Sequence, residues 1–101
     1  MKEIHGFENL LAERQRLPEC GWIFVDEDLD RNSIEALEHA IFYVPENEDD
    51  EFYGEDNLAA WLECPIFLGV LDVREGTLVE LSSRQAMEAA LHYLKFDDFL
   101  E

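Results

Sequence analysis

The feature that most limits how this chain can fold is where its carboxylates lie. The chain carries 25 acidic and 7 basic residues, for a formal net charge of −18 at pH 7. The segment from Asp26 to Asp56 alone holds thirteen acidic residues against a single basic residue, Arg31. Folding concentrates these like charges, which costs stability but keeps the protein soluble. Nucleic acid and anionic membrane surfaces would repel such a chain, so we expect its partners to be cationic.

Within that segment the charge forms two clusters, residues 26–30 and residues 46–56, on either side of an apolar stretch at residues 40–44. The second cluster contains an aromatic pair, Phe52 and Tyr53. Two large rings in an acidic loop are costly to leave in water without a use. Either the pair packs back onto the core, or it belongs to an interface, where Tyr and Phe are enriched.

The rest of the composition indicates one folded domain spanning residues 1–101. Acidic disordered tails are poor in aromatic residues, whereas this chain has seven Phe, three Tyr and two Trp. No apolar run approaches the roughly 20 residues that span a bilayer, and the amino terminus lacks a signal-peptide pattern. Cys20 and Cys64 fit no metal or redox spacing, which favours two free thiols, with one disulfide as the alternative. We therefore expect a cytoplasmic protein.

Local patterns predict three elements in the first half of the chain. Apolar residues at helical spacing predict a helix over residues 7–16, which Pro18 ends. The aromatic run at residues 22–25 predicts a buried strand. Residues 32–38 stay ambiguous between helix and strand, whereas the β-branched and aromatic content of residues 39–44 predicts a strand there.

In the second half, residues 58–63 predict a third strand. Pro65 suits the first position of a helix and Gly76 suits the position just past its end, which favours a helix after Cys64. A strand over residues 66–73 is the alternative.

The final helix has the clearest start signal. Ser82 and Gln85 form a capping box, followed by an apolar stripe. We expect the tail at residues 96–100 to dock on the domain, because its apolar side chains would otherwise lie in water. Together the elements predict an α+β fold with an N-terminal helix, a small three-stranded antiparallel sheet and two C-terminal helices.

The sequence contains no complete calcium- or zinc-binding motif. Asp26, Asp28 and Asp30 match the first ligand positions of an EF-hand loop, but Arg31 replaces its glycine and Leu37 its bidentate glutamate. The three histidines are isolated, and no His or Cys pair has zinc-ligand spacing. We expect no metal site and no cofactor, with weak divalent binding by clustered carboxylates as the alternative.

Catalytic motifs are also missing. The serines, Ser33, Ser82 and Ser83, occupy cap or turn positions, and no nucleophile elbow is present. Neither Cys20 nor Cys64 has a basic neighbour in sequence that would lower its pKa. The chain has no glycine-rich phosphate loop and few basic residues to hold an anionic substrate. We therefore expect a protein that is not an enzyme, with no catalytic residues.

The acidic segment is best interpreted as a surface for a basic protein partner. Charge complementarity steers association, while buried aromatic side chains hold a complex together. The alternative is a solvated run that aids solubility. We expect the free protein to be monomeric. The predicted partner-binding residues are Asp26, Glu27, Asp28, Asp30, Glu46, Glu48, Asp49, Asp50, Glu51, Phe52, Tyr53, Glu55 and Asp56.

A further set of residues, mostly apolar, is spread along the chain. It consists of Leu17-Pro18 followed by Trp22, then Leu58 with Leu62-Glu63, and the ending Ala90-Leu91-His92-Tyr93 with Asp97 and Phe99. With these residues the chain resembles a family of small acidic bacterial proteins that includes the immunity proteins of contact-dependent growth inhibition systems. The resemblance implies a cytoplasmic antidote that binds and neutralises a cognate toxin domain, often a basic nuclease. It carries over no binding residue, and the acidic residues 46–56 do not align with it.

Two other functions fit the charge. One is an acidic nucleic-acid mimic or regulator, whose carboxylates imitate phosphates on a DNA- or RNA-binding protein. The other is a non-catalytic solubilising or cation-buffering domain. Mimicry requires carboxylates spaced along an extended face, which distinguishes it from the immunity hypothesis.

Overall fold

Four β-strands form one antiparallel sheet in this computed structural model, which describes residues 1–76 and 80–98. The strands are β1 (Lys2–His5), β2 (Trp22–Val25), β3 (Ile41–Val44) and β4 (Ala59–Glu63). Their order across the sheet is β1-β3-β2-β4. Strands β1 and β4 are therefore the edges, and β2 and β3 form the centre.

Five α-helices occur within the described ranges: α1 (Phe7–Ala12), α2 (Ile34–Glu38), α3 (Glu48–Asn57), α4 (Cys64–Glu75) and α5 (Ser83–Phe96). A short 3-10 helix, Arg14–Arg16, follows α1. Side-chain caps fix three of the starts. Ser33 accepts a hydrogen bond from the backbone N–H of Ala36, and Asn47 accepts one from the backbone N–H of Asp50. Ser82 and Gln85 form the capping box of α5. Each cap satisfies a donor that the first helical turn leaves unpaired.

One face of the sheet carries the main core. The ring of Phe7 lies edge-on to Phe42, Phe67 and Trp61, with centroids 6.0, 6.0 and 6.3 Å away. Edge-to-face pairs add to the stabilisation that comes from burying the rings. Helices α1, α2, α4 and α5 all contribute buried residues to this cluster. The core is therefore built from four helices packed against a sheet whose neighbouring strands lie far apart in the sequence.

The other face of the sheet is covered by α3. Residues directly opposite each other in an antiparallel pair share a face, which places Phe24 with Tyr43. Phe24 is buried, yet it lies outside the main cluster. A Cβ added to Gly54 of α3 would come within 2.6 Å of the Phe24 ring. Helix α3 therefore approaches the sheet through a glycine and rests on this one phenylalanine.

Strand β4 carries an irregularity that matters for the surface. Ile23 pairs with Leu62, but the next residue, Phe24, pairs with Ala60. Trp61 is therefore the extra residue of a β-bulge. Because of the bulge, Trp61 and Leu62 are both buried although they are consecutive.

The predicted architecture is wrong in its count of elements. The sheet has four strands rather than three, and five helices rather than three occur in the described part of the chain. Strand β1 was missed because Lys2–His5 has a single buried apolar residue, Ile4, and pairs with a partner about 40 positions along the chain. Such a segment has no periodicity to detect.

The largest local error is in the second acidic cluster, which was expected to be a loop and instead contains α3. The ambiguous residues 32–38 contain α2, and the following strand starts at Ile41 rather than His39. The alternative at residues 66–73 is decided in favour of helix. The tail does not dock at Phe96, which is 59 % exposed. Phe99 and Leu100 lie outside the described residues.

Candidate protein-binding surface

Helix α3 is an unusually polar helix with almost no buried side chain. Asn47 caps it by accepting a hydrogen bond from the backbone N–H of Asp50 at 2.9 Å. Its first turn is entirely acidic, which suits the positive end of the helix dipole. Gly54 is its one buried residue. A helix that is polar all round is not held by an apolar stripe, so core packing does not explain its outer side chains.

The aromatic pair lies on the surface of this helix. Phe52 is 54 % exposed and Tyr53 is 57 % exposed. The sequence left open whether the two rings pack onto the core or face solvent, and the structure decides for solvent. Exposed rings surrounded by carboxylates have the composition of an interface anchor with a charged rim.

Tyr43, in the central strand β3, lies near residues of both acidic clusters. Its hydroxyl donates a hydrogen bond to the carboxylate of Asp26 at 3.0 Å. Burial, the contact with Asp26 and the nearby Glu3 and Tyr53 raise the pKa of Tyr43 to about 12. Asp26 belongs to the first cluster and Tyr53 to the second, so Tyr43 on β3 lies near residues of both clusters.

We call this region the acidic surface. It consists of the exposed residues of α3 together with the start of the loop between β2 and α2. It holds nine of the predicted partner-binding residues. Its members are Asp26, Glu27, Asp28, Glu48, Asp49, Phe52, Tyr53, Glu55 and Asp56.

Asp50 and Glu51, two of the predicted binding residues, are only partly exposed and lie close to other parts of the chain. Asp50 lies 2.7 Å from the amino group of Met1 and accepts a hydrogen bond from the backbone N–H of Glu46 at 2.9 Å. These contacts lower the pKa of Asp50, and Asp50 with Glu46 raises the pKa of the amino terminus. Glu51 lies so close to Gly21 that a Cβ there would collide with its carboxylate. Asp50 therefore links the amino terminus to the start of α3.

The remaining predicted residues lie at the margins of the acidic surface. Asp30 accepts a hydrogen bond from the backbone N–H of Asn32 at 3.1 Å, which closes the turn before α2. Glu46 lies 3.3 Å from the Met1 amino group. Both carboxylates are exposed, so local contacts do not bury them.

A second exposed feature was missed by sequence reasoning. Trp22, 38 % exposed, and Leu94, 40 % exposed, flank a groove of about 240 Å³ beside the edge strand β4. Trp61 and Ile66 also line it. Each of these residues was interpreted as part of a strand or helix pattern, and nothing local in the sequence indicates that they border one groove.

The described residues offer little for catalysis or metal binding. Burial and the nearby Glu51 and Cys20 raise the pKa of the Cys64 thiol to about 11, which keeps it protonated and unreactive. Ser33 and Ser82 are engaged as helix caps. Within residues 1–76 and 80–98, no group of three potential metal ligands comes together.

No protein-family model, curated protein or solved structure matches this chain. Over the described ranges, none of the helices combines the length and apolar character needed to cross a bilayer.

Proposed function

We propose that this protein is an inhibitor that binds a basic protein partner through the acidic surface, and that the partner is the toxin domain of a bacterial competition system. The observation that carries the proposal is the exposure of Phe52 and Tyr53 on the acidic helix α3, with Tyr43 and its hydrogen-bonded Asp26 from the other acidic cluster nearby. A toxin that cleaves nucleic acid must itself be cationic to hold its substrate. A protein with a net charge of −18 complements it.

The carboxylates and the aromatic rings of the acidic surface have different roles in binding, because exposed charges and buried rings contribute differently to affinity. Exposed ion pairs contribute only about 0.2–1 kcal/mol each. Carboxylates such as Asp49 and Asp56 therefore mainly accelerate encounter, by a factor of about 10–10³. Phe52 and Tyr53 supply the apolar area that holds the complex, since rings seated in a pocket exclude water from neighbouring charges.

We propose that the protein acts by binding and not by catalysis. We also propose that it is monomeric when free and that it works in the cytoplasm. Its free thiols, Cys20 and Cys64, suit a reducing compartment. Exposed acidic residues cover α3 densely, which disfavours pairing of two copies through that helix.

The proposal predicts that a neighbouring gene encodes a basic toxin domain, and the test measures association with that domain by stopped flow at two salt concentrations. The triple variant Asp49→Asn, Glu55→Gln, Asp56→Asn should associate at least about tenfold more slowly than wild type. A matched control removes three exposed charges elsewhere, by Glu8→Gln, Glu35→Gln and Glu80→Gln. The control should change the rate by less than about twofold at physiological salt, where screening acts over about 8 Å.

The anchor is tested separately by Tyr53→Ala, which should accelerate dissociation while leaving the melting temperature of the free protein nearly unchanged. Equal association rates for the two triple variants would show that the acidic surface is only a solubilising region. Loss of neutralisation in a growth assay, in parallel with faster dissociation, links the binding to the proposed role. A partner that competes with nucleic acid but has no toxicity would instead support the mimic hypothesis.

A further inference from the structure

The groove beside β4 differs from the acidic surface because its walls are aromatic and aliphatic. Trp22, Trp61, Ile66 and Leu94 form the walls, and the groove encloses about 240 Å³. Strand β4 is an edge of the sheet, so the groove opens to solvent at a border of the domain. A partly exposed tryptophan beside an exposed leucine is the kind of apolar patch that marks a docking site.

Among the described residues, the rim of this groove carries two carboxylates, while Arg31 lines the neighbouring cavity on the other side of Trp61 and Leu94. Glu63 and Asp97 both line the groove. The phenol of Tyr93 also lines the groove and hydrogen-bonds Asp97, and burial, Asp97 and Glu63 raise its pKa. Asp97 adopts a left-handed backbone conformation with φ 54°, where most side chains are strained. The end of α5 thus holds a carboxylate at the groove in a conformation that Asp and Asn tolerate better than most other residues.

We propose that this groove receives an arginine side chain of the basic partner, as a second contact beside the acidic surface. The proposal rests on the proposed function only in that the partner is basic. An arginine stem packs along apolar walls while its charged head stays near solvent. The planar guanidinium stacks on an indole face and pairs with carboxylates through its fork of N–H donors.

The chemistry of the groove favours arginine over the other occupants. A purely apolar side chain would leave Glu63 and Asp97 at the edge of a dry contact with no counter-charge. A lysine offers a compact, strongly hydrated charge that stacks less well on tryptophan. An acidic group would be repelled by the rim. Arginine matches both the aromatic walls and the paired carboxylates.

The two tryptophans of the chain both line the groove, so intrinsic fluorescence reports on it directly. The probe is the capped tripeptide acetyl-Gly-Arg-Gly-amide, titrated at physiological salt into the full chain. Its citrulline analogue, which has the same shape without the charge, is the comparison. We expect a saturable change in tryptophan emission with the arginine peptide, and affinity at least about tenfold weaker for citrulline.

Matched variants separate the groove from general charge attraction. The pair Glu63→Gln, Asp97→Asn should weaken arginine-peptide binding at least about tenfold, whereas Asp49→Asn, Asp56→Asn removes the same charge from α3 and should change it less than about twofold. Asparagine at position 97 keeps the left-handed backbone accessible, so the fold is preserved. The indole N–H signals of Trp22 and Trp61 in nuclear magnetic resonance spectra should shift on binding, and the α3 amides should not.

Several outcomes would overturn the inference. Absence of a saturable emission change, equal affinity for citrulline, or shifts confined to α3 would each exclude the groove as an arginine site. A chain ending at Asp98 that binds the peptide when the full chain does not would show that the groove belongs to residues 99–101. In each case binding of the basic partner through the acidic surface, measured as above, stays a separate result. If the chain binds the arginine peptide but not the basic partner, the proposed function is wrong and the arginine site in the groove is still supported.

Discussion

On one face of the sheet Phe7, Phe42 and Trp61 pack ring against ring under four helices, whereas on the other face a single helix, α3, rests on Phe24 through Gly54. The first face buries large side chains from most elements of the chain. The second buries one ring and a glycine and exposes almost everything else. The large buried side chains and the densest run of carboxylates therefore lie on opposite sides of the sheet. This separation allows a strongly acidic surface without carboxylates in the core.

A substitution on the core face should have the largest effect on stability. Phe7→Ala should lower the free energy of unfolding by about 3–5 kcal/mol, because it removes a fully buried ring and leaves a cavity among three other rings. Urea unfolding followed by circular dichroism measures the change. A loss below about 1 kcal/mol would mean that the core relaxes around the cavity, and that the two faces contribute more equally than their burial suggests.

The contact beneath α3 gives the next largest effect. Gly54→Ala improves helix propensity by about 1 kcal/mol, but its Cβ meets the buried Phe24 ring at 2.6 Å, and overpacking of this kind costs about 1–3 kcal/mol. We expect a net loss of up to about 2 kcal/mol in the free energy of unfolding. The proximity of Cβ and ring should also shift α3 away from the sheet, which hydrogen exchange of the α3 amides would detect.

Gly76→Ala is the matched control for this substitution. Gly76 has an ordinary helical φ of −62°, and its added Cβ would have its nearest neighbour at 3.4 Å. It should be neutral or stabilising by about 0.5 kcal/mol. A stabilising Gly54→Ala would indicate that α3 docks loosely and that Phe24 yields to the new methyl group.

The anchoring of α3 to the amino terminus gives a smaller, pH-dependent effect. Asp50→Asn removes the charge that faces the Met1 amino group but keeps an oxygen for the N–H of Glu46. It should lower the melting temperature, whereas Asp49→Asn should leave it unchanged or raise it by relieving repulsion. Thermal melts over a pH series measure both variants.

The sign of the pH dependence follows from the two pKa shifts. The pKa of Asp50 is lowered in the fold, so its contribution is lost as pH falls through that lowered value. The pKa of the Met1 amine is raised, so its contribution is lost as pH rises through the raised value. The difference between wild type and Asp50→Asn should therefore be largest between about pH 4 and pH 8. A difference that stays constant from pH 3 to pH 10 contradicts an ion pair.

These two faces also show what the sequence could predict. Strand β2 was confirmed over Trp22–Val25 and the capping box of α5 was confirmed at Ser82 and Gln85, because each signal is local. Helix α3 was missed because it has no apolar stripe. Its Asn47 cap and acidic first turn were the available signal, and the density of carboxylates was interpreted as a loop instead.

The candidate site divides in the same way. The acidic residues and the aromatic pair are visible as a run in the sequence, and the structure finds Phe52 and Tyr53 exposed. The junction at Tyr43 depends on the pairing of β2 with β3, and the groove depends on the bulge at Trp61. Neither long-range pairing nor a bulge has a periodicity that a single sequence displays.

Phe52→Ala should change the stability of the free protein least. A small change is expected because Phe52 lies on the exposed face of the molecule and not in the core. The ring is 54 % exposed, so truncation forfeits only part of its burial, about 1 kcal/mol. Alanine recovers about half of that through better helix propensity. The free energy of unfolding should therefore change by no more than about 0.5 kcal/mol, whereas the dissociation rate of the complex should rise at least about tenfold if the ring anchors the partner. Urea unfolding of the free protein and dissociation kinetics with the basic partner provide the two numbers. A loss of stability close to that of Phe7→Ala would place Phe52 among the residues that hold the fold, and the division between a packed face and an exposed face would no longer stand.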